Sequence, residues 1–287
     1  HLPRETQREM VFLDPRFMPP GAQSKPAPIA ELGADVVRHQ AGPLHFIFHT
    51  GFCCSTLLAR ALDIPGVSMG IKEPSVLASF AQYWSNSRRA PGALEALTIT
   101  LNLLSRPLMR GEAQIVKPST VVNHIIPQLL HARPDAKAIV LFSSLDSFLR
   151  AIARRGLDGR IFARELFHQF APVIPLDAGF DDEDPVLLAD LQIAAQAWLM
   201  QASFMDALAK RFGTSRVRVL NADTLLQNPM GALSAVGAFF NLGLTPEIAR
   251  AVAEGPVFQE HAKEPGRPFN ADAQRAPGNH RQHPVRP

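Results

Sequence analysis

The sequence predicts a three-layer α/β protein, in which helices cover both faces of a central parallel sheet. Short apolar runs alternate along the chain with longer segments of helical periodicity, and repeated βα units produce this pattern. The 287 residues have room for one large domain or two modest ones. No change in composition divides residues 44–254. We therefore expect a single α/β domain there, with an arm at 1–43 and a tail at 255–287.

The composition limits the classes of function. The chain is 46% hydrophobic and 19% charged, so it can bury a full core and is not a disordered protein. A net charge of +3 is too small for a general nucleic-acid binder. No apolar run reaches the roughly 18 residues that a membrane helix needs. We expect a protein that acts on small molecules, with neither nucleic-acid nor membrane partners.

The two cysteines, Cys53 and Cys54, are adjacent in the sequence. Adjacent residues rarely reach disulfide geometry, and free thiols are typical of reducing compartments. The first residues also lack the basic and then apolar pattern of a secretory signal. These observations predict a cytoplasmic location.

Each element is predicted from a local pattern. Prolines and a glycine between residues 19 and 28 exclude a long regular element from the arm. The apolar run 44–49 predicts the first strand, and apolar positions at helical spacing over 55–62 predict the first helix. Further strands are predicted at 67–70, 114–117, 137–142 and 216–220. Further helices are predicted at 76–85, 94–109, 120–131, 145–155 and 185–212.

The loop after the first strand is the first candidate for a site. It places a glycine-containing turn between a strand and the start of a helix, where backbone N–H groups suit a phosphate. A Walker loop would need a second glycine and a lysine before the Ser/Thr, and the sequence has neither, so a generic ATPase fits poorly. The predicted anion-binding residues are Thr50, Gly51, Phe52, Cys53, Cys54, Ser55 and Thr56.

Five segments in order resemble the sulfotransferase family. Residues 55–58 read Ser-Thr-Leu-Leu, and Lys72-Glu73-Pro74 follows the second strand. Residues 115–118 read Ile-Val-Lys-Pro and carry Lys117 at the end of the third strand. The segments 133–140 and 219–229 resemble the family's approach to strand four and its segment after strand five. Together the similarity covers about 200 residues in a consistent register.

This resemblance implies a P-loop NTPase-like fold of the sulfotransferase type and a reaction. Such enzymes transfer a sulfuryl group from 3′-phosphoadenosine 5′-phosphosulfate to a hydroxyl or amine. Loop 50–56 would then receive the 5′-phosphosulfate. By the same resemblance, Lys117 would stabilise the transferring group and Glu73 would take the acceptor's proton.

The sequence departs from the family pattern at the nucleotide site. Phe52 stands where the family has a lysine or arginine, and Ser143 and Ala151 stand where it has the arginine and serine that hold the 3′-phosphate. Losing one such arginine forfeits roughly 1.5 to 3 kcal/mol. Ser143 therefore occupies the position of the family's arginine but carries no charge. Arg150 is the predicted replacement for that charge. Other candidates for that role are Arg154, Lys263 and Arg267.

Other functions remain open. One is a degenerate protein that binds an anion without catalysis, and another is a transferase that uses a different phosphorylated donor. Cys54 and Arg60 also have the Cys-x5-Arg spacing of cysteine phosphatases, although two buried thiols packing the loop explain the cysteines more simply. The histidines show no metal-ligand spacing, so we expect no metal.

The acceptor is left open by the sequence. A helical insertion at about 156–212 stands between strands four and five, where a sulfotransferase would build its acceptor pocket. Its large aromatic residues are candidates either for the pocket lining or for the core. They are Phe162, Phe167, Phe170 and Trp198.

Overall fold

The computed structural model contains one five-stranded parallel sheet, which confirms the predicted α/β class. The structure describes residues 2–22, 28, 31–33, 41–86, 91–174, 176, 188–260 and 262–263. The strand order is β2-β3-β1-β4-β5. The strands are β1 (Leu44–His49), β2 (Ser68–Lys72), β3 (Ala113–Lys117), β4 (Ala138–Phe142) and β5 (Val217–Asn221).

Strand β1 occupies the centre of the sheet, where both of its faces are covered. It pairs with β3 on one side, with Phe46 opposite Val116, and with β4 on the other. All six residues of β1 are buried. Of the two edge strands, β2 is buried throughout, whereas only Val217 of β5 is buried. The chain therefore leaves β1 at the middle of the sheet's carboxyl edge, where ligands bind in such folds.

Helices cover both faces of the sheet. The face of Phe46 and Phe48 packs against residues from α3 (Ser75–Asn86), α4 (Ala93–Leu104), α5 (Ile126–Ala132) and the long helix α8 (Asp190–Phe212). The face of Ile47 packs against α2 (Ser55–Ala61), α9 (Ala222–Gln227), α10 (Pro229–Phe240) and α11 (Pro246–Glu254). These two apolar layers give the predicted three-layer arrangement. Among the described residues, no helix has the length and apolarity needed to cross a membrane.

The helices of the predicted insertion, 156–212, share a small core with the helix that precedes them. The insertion contains α7 (Gly156–Phe170) and α8 (Asp190–Phe212), and both pack against α6 (Leu145–Arg154). Phe167 and Phe170 are buried in this core, together with Phe148 of α6. Phe162 and Trp198 pack at its boundary and are half-buried. Two of the four candidate pocket aromatics are thus core residues.

Three predicted helices differ in detail. The helix expected at 94–109 ends at Leu104. The helix expected at 120–131 begins as a 3₁₀ helix over Thr120–Ile125 and becomes α-helical at Ile126, just before Pro127. The helix expected from residue 185 begins at Asp190, because Ala189 is extended and donates its N–H to the Gln192 side chain at 2.8 Å. Residues 185–187 lie outside the described part of the chain.

The amino-terminal arm is bonded to the domain. Its helix α1 (Arg4–Glu9) carries Arg4, which is 8% exposed. The Arg4 guanidinium bonds to the buried Glu112 carboxylate, to Asp63 Oδ1 at 2.6 Å and to the Ser68 carbonyl at 2.7 Å. Arg8 bonds to the other oxygen of Asp63 at 2.8 Å. One turn of the arm is thereby fixed beside β2.

Replacing Arg4 by methionine should destabilise the protein strongly. The change leaves Glu112, which has no solvent exposure, without its guanidinium partner. Breaking a buried ion pair from one side costs about 3–5 kcal/mol. We expect the free energy of unfolding in urea to fall by that amount.

The matched control is Arg16→Met, since Arg16 forms an exposed pair with Asp14 in the same arm. A surface pair contributes about 0–1 kcal/mol, so this variant should unfold nearly like the wild type. Equal, small losses in the two variants would show that the Arg4 pairs do not hold the arm.

Candidate functional site

The loop after β1 adopts a conformation that side chains rarely accept. Gly51, Phe52 and Cys54 all have positive φ, at 88°, 49° and 61°. For the two non-glycine residues, this left-handed conformation costs on the order of 1 kcal/mol each. Backbone N–H groups in a strained turn before a helix can face an anion. In this loop the N–H groups of Thr50 and Gly51 are already bonded to the Leu141 carbonyl and to His49, which leaves the later residues of the loop for that role.

His49 attaches this loop to the end of β3. Its Nδ1 accepts the Gly51 N–H at 3.2 Å, and its Nε2 lies 3.1 Å from the Pro118 carbonyl. A carbonyl only accepts, so these partners place the proton on Nε2. Burial, followed by the nearby Lys117 charge, lowers the pKa of His49 well below its usual value. His49 is consequently neutral and holds the loop with both ring nitrogens.

A buried amide network supports the same loop from the helical insertion. Asn123 donates to the His49 carbonyl and to Gln201 Oε1, both at 2.9 Å. Gln201, on α8, donates to the Thr50 carbonyl at 3.4 Å. Thr50 is fully buried and its N–H donates to the Leu141 carbonyl at 3.2 Å. The backbone at 49–50 is therefore held by β4, α8 and the 3₁₀ helix at once.

Lys117 and Glu73 meet at the carboxyl edge of the sheet, as their predicted positions require. Lys117 is fully buried, and its ammonium forms an ion pair with Glu73, whose side chain is 18% exposed. Desolvation lowers the pKa of Lys117, and the Glu73 charge opposes that shift. The N–H of Glu73 donates to the Lys117 carbonyl at 2.7 Å, and Glu73 itself has φ of 47°. The sheet edge thus presents one buried cation and one accessible carboxylate.

Two more cations lie at this edge. The Lys263 ammonium is 5.3 Å from the ring centroid of Phe12, and the Lys117 ammonium is 5.4 Å from the same centroid. Desolvation lowers the pKa of Lys263; Glu73 opposes the shift and Arg155 adds to it. The Arg155 guanidinium lies 4.8 Å from the ring centroid of Phe52. Cations from the tail and the insertion therefore converge on the loop.

Three hydroxyl groups in or near the loop are buried without a hydrogen-bond partner among the described residues, and they belong to Thr50, Thr56 and Ser143. Thr56, in the first turn of α2, is 3% exposed, and Ser143, after β4, is 4% exposed. Neither Oγ1 of Thr56 nor Oγ of Ser143 has a hydrogen-bond partner among the described residues. Burying an unsatisfied hydroxyl costs about 1–3 kcal/mol. A ligand oxygen at this edge of the sheet would remove that cost.

The other predicted nucleotide residues have the following surroundings. Ser55 is buried as the first residue of α2. The Ser143 carbonyl accepts from Trp198 Nε1 at 3.1 Å. Arg150 is on the exposed side of α6, where it pairs with Asp146 at 2.8 Å, and Arg154 is exposed on the same helix. Arg267 lies outside the described residues.

The cysteines do not have the surroundings of a nucleophile. Desolvation raises the pKa of Cys53 to about 11 and that of Cys54 to about 12. The Cys53 thiol donates to the Leu141 carbonyl at 3.3 Å. Arg60 donates to the Ala262 carbonyl at 3.3 Å. Because a thiolate is the reactive form, these surroundings disfavour phosphatase chemistry and favour two packing thiols.

No group of three or more His, Cys, Asp or Glu side chains could hold a metal ion among the residues that the structure describes. The predicted site residues instead supply cations, a carboxylate and hydroxyl groups. This is a donor and acceptor set suited to an oxyanion.

Four solved structures similar to this chain are sulfotransferases. The sulfotransferase domain of the Synechococcus olefin synthase has 14% identity and a TM-score of 0.49, over 84% of this chain and 90% of that one. The sulfotransferase domain of the curacin biosynthetic pathway has 13% identity and a TM-score of 0.46, over 79% and 83%. A sulfotransferase from Alicyclobacillus acidocaldarius has 15% identity and a TM-score of 0.43, over 83% and 100%.

No protein-family model and no curated protein sequence matches the chain. The α/β fold is defined by this chain's own strand order, β2-β3-β1-β4-β5.

Sequence reasoning missed two residues of this site and undervalued a third. Phe12 comes from the arm, and no periodicity in the sequence links it to the sheet edge. Arg155 was passed over for Arg150 and Arg154, although Gly156 after it, with φ of 57°, ends α6 and turns the chain. Lys263 was named as one replacement cation among several. A helix end beside the loop is the signal that favours Arg155.

The two thiols should react slowly in the folded protein. With pKa values of about 11 and 12, almost no thiolate is present at pH 8, and alkylation requires the thiolate. We expect iodoacetamide to label neither cysteine within minutes at pH 8, as followed by mass spectrometry. The same chain in guanidinium should label at both positions under the same conditions. Rapid labelling of folded Cys54 would contradict the packing assignment and revive the phosphatase chemistry.

Proposed function

We propose that this protein transfers a sulfuryl group from 3′-phosphoadenosine 5′-phosphosulfate to a hydroxyl or amine on a small molecule. The observation that carries the proposal is the convergence of Lys117, Lys263 and Arg155 on the strained loop after β1. Three cations beside the loop suit an anionic group. The one carboxylate among them suits an acceptor that loses a proton as it attacks that group.

The residues present fit the 5′ side of such a donor. Bound there, the donor supplies a sulfuryl group activated by its link to phosphate. Loop 50–56 provides a strained turn at the start of α2, and the unpartnered Thr56 hydroxyl provides a hydrogen-bonding group beside it. Lys117 provides a fixed charge, because burial and Glu73 restrict its ammonium to one position. A fixed charge stabilises developing negative charge without reorganisation.

Glu73 is suited to the acceptor side. Its carboxylate already accepts a hydrogen bond from Lys117, and part of its surface remains open to solvent. An acceptor hydroxyl or amine bonded to this carboxylate would lose its proton to Glu73 as its oxygen or nitrogen bonds to sulfur. The sulfur–oxygen bond to the nucleotide phosphate breaks in the same exchange, and Lys117 faces the charge that develops.

The 3′ side of the nucleotide has less support. Ser143 brings a hydroxyl and no charge, and Arg150 is paired with Asp146 at the surface. We therefore assign the compensating charge to Lys263 and Arg155 rather than to Arg150. A different phosphorylated donor remains the second candidate, and the observation that favours it is the uncharged Ser143 at the end of β4.

A protein that binds the nucleotide without catalysis is the third candidate. Phe52, in the loop where a cation was expected, favours it, and its ring packs against Phe148 and Phe162. Conversion of labelled donor to 3′,5′-adenosine bisphosphate by wild type, but not by Glu73→Gln, would exclude it.

Lys117→Met should remove anion binding while leaving the fold intact. Methionine keeps most of the apolar stem, and the partner that it leaves behind, Glu73, is 18% exposed and can be solvated. We expect sulfate or bisphosphate affinity, measured by calorimetry, to fall at least about tenfold, which is about 1.4 kcal/mol. The melting temperature should fall less than that of Arg4→Met, which leaves a carboxylate with no solvent exposure.

Lys137→Met is the matched control. Lys137 also lies on the sheet, just before β4, where its ammonium donates to the Phe239 carbonyl. Anion affinity should not change in this variant. Normal binding by Lys117→Met, or a large loss of its thermal stability, would contradict the role given to Lys117.

Lys263, and not Arg150, should determine nucleotide affinity. With Phe52, Ser143 and Ala151 in place of the family's contacts, we expect 3′,5′-adenosine bisphosphate to bind with a Kd of about 100 μM or weaker. Lys263→Ala should weaken it further by about tenfold, the value of one phosphate contact. Arg150→Ala, which removes a surface pair only, serves as the control in the same calorimetric assay. A larger effect of Arg150→Ala than of Lys263→Ala would reverse the assignment.

A further inference from the structure

A second cleft lies on the α2 and α11 face of the sheet, next to the arm. Its volume is about 520 Å³. One side comes from α11 and the chain that follows it, and it is apolar at Ile248, Ala251 and Val252 but also carries Glu260. The other side carries the charged groups of Arg8, Arg60 and Lys72, together with Asp63.

The charges of this cleft are unevenly compensated. Asp63 forms ion pairs with Arg4 at 2.6 Å and Arg8 at 2.8 Å, so the Arg8 charge has its counter-ion. The Lys72 ammonium instead donates to the carbonyls of Arg8, at 2.8 Å, and of Met10. Lys72 is only 5% exposed, although it stands at the end of an edge strand.

Arg60, like Lys72, is bonded to a backbone carbonyl and not to a carboxylate. Its guanidinium donates to the Ala262 carbonyl at 3.3 Å. Within the described chain, no carboxylate forms an ion pair with Arg60 or Lys72, including Glu260, which lines the cleft. Burial first, and then the Arg60 charge, lower the pKa of Lys72 to about 8. The hydrogen-bond partners of these two cations are therefore neutral carbonyls, and the nearby Asp63 charge only partly opposes the shift at Lys72.

Two neighbouring cations raise the free energy of each other's charged form. An anion bound between Lys72 and Arg60 would remove that cost. The apolar side opposite them offers contact to hydrocarbon, whose burial is favourable at roughly 25 cal/mol per Å². A simple inorganic ion would use only the cationic side. A ligand with an anionic head and an apolar body would use both.

We propose that this cleft binds a small amphipathic anion, an alkyl or aryl carboxylate or sulfate, with its head between Lys72 and Arg60 and its body against α11. This site is separate from the loop after β1 and does not depend on the sulfuryl-transfer proposal. It adjoins the central site at Lys72, which precedes Glu73 and lies opposite Lys117 in the pairing of β2 with β3. A second link is the chain from Ala262, bonded to Arg60, to Lys263 over Phe12.

The test is calorimetric titration of the full chain with matched probes. Octyl sulfate and octanoate, below their micellar concentrations, should bind saturably at one site. Sodium sulfate and acetate should bind at least about tenfold more weakly at this site, and octylamine should not bind. Equal binding of octylamine and octyl sulfate would overturn the proposal, because it would reduce the site to apolar contact.

Variants locate the binding. Arg60→Gln removes one cation and should weaken octyl sulfate at least about tenfold. Ala251→Trp fills the apolar side without changing any charge and should do the same. Arg250→Gln, one residue away on the exposed side of α11, is the control and should bind normally. Unchanged binding by both cleft variants, each with a wild-type melting temperature, would contradict the site.

Proton uptake gives an independent readout. An anion beside Lys72 should raise its pKa from about 8, so binding at pH 8 should take up protons and the measured enthalpy should vary with the buffer's ionisation enthalpy. Lys72→Met should abolish that dependence. The charged groups that face Lys72 from the packed elements are Arg8, Arg60, Asp63, Lys117 and Glu260.

Competition separates the two proposals. Octyl sulfate should still bind when 3′,5′-adenosine bisphosphate saturates the central site. Complete displacement by the bisphosphate would mean that both ligands use the loop after β1, and the second site would be rejected. Absence of bisphosphate binding, with octyl sulfate bound normally, would reject only the nucleotide proposal.

Discussion

A lysine ammonium buried without any solvent exposure determines how the rest of the site is arranged. Lys117 sits at the end of β3, and desolvation there disfavours its charge. Glu73 compensates that charge and adopts a left-handed backbone to do so. Phe12 of the arm covers the same ammonium, which explains why the arm has to be fixed beside β2. The charged edge and the docked arm are thus parts of one arrangement.

The loop after β1 keeps its strained conformation because three elements hold it. His49 bonds it to the end of β3, and Gln201 and Asn123 bond it to the insertion. These groups are buried and hydrogen-bonded to one another, and such networks fix one geometry when every member is satisfied. The helical insertion therefore supports the loop through Gln201 of α8.

Local patterns predicted the strands well because buried parallel strands are short apolar runs whose ends are marked by turns. They placed β1 and β4 within a residue, and the two strand-end residues Lys117 and Glu73 at one edge. Contacts between distant segments were not predictable. Phe12 is brought to Lys117 by ion pairs of Arg4, and Lys72 is buried by the same docking. No spacing rule within a single segment contains that information.

The most direct test of the central claim is a crystal structure grown with selenate, a tetrahedral oxyanion located by its anomalous scattering. The account predicts the strongest anomalous peak beside the backbone of loop 50–56, within hydrogen-bonding distance of the Lys117 ammonium or the Thr56 hydroxyl. A selenate-saturated crystal with this loop accessible to solvent and no peak beside it would contradict the claim that the loop and its three cations form an anion site.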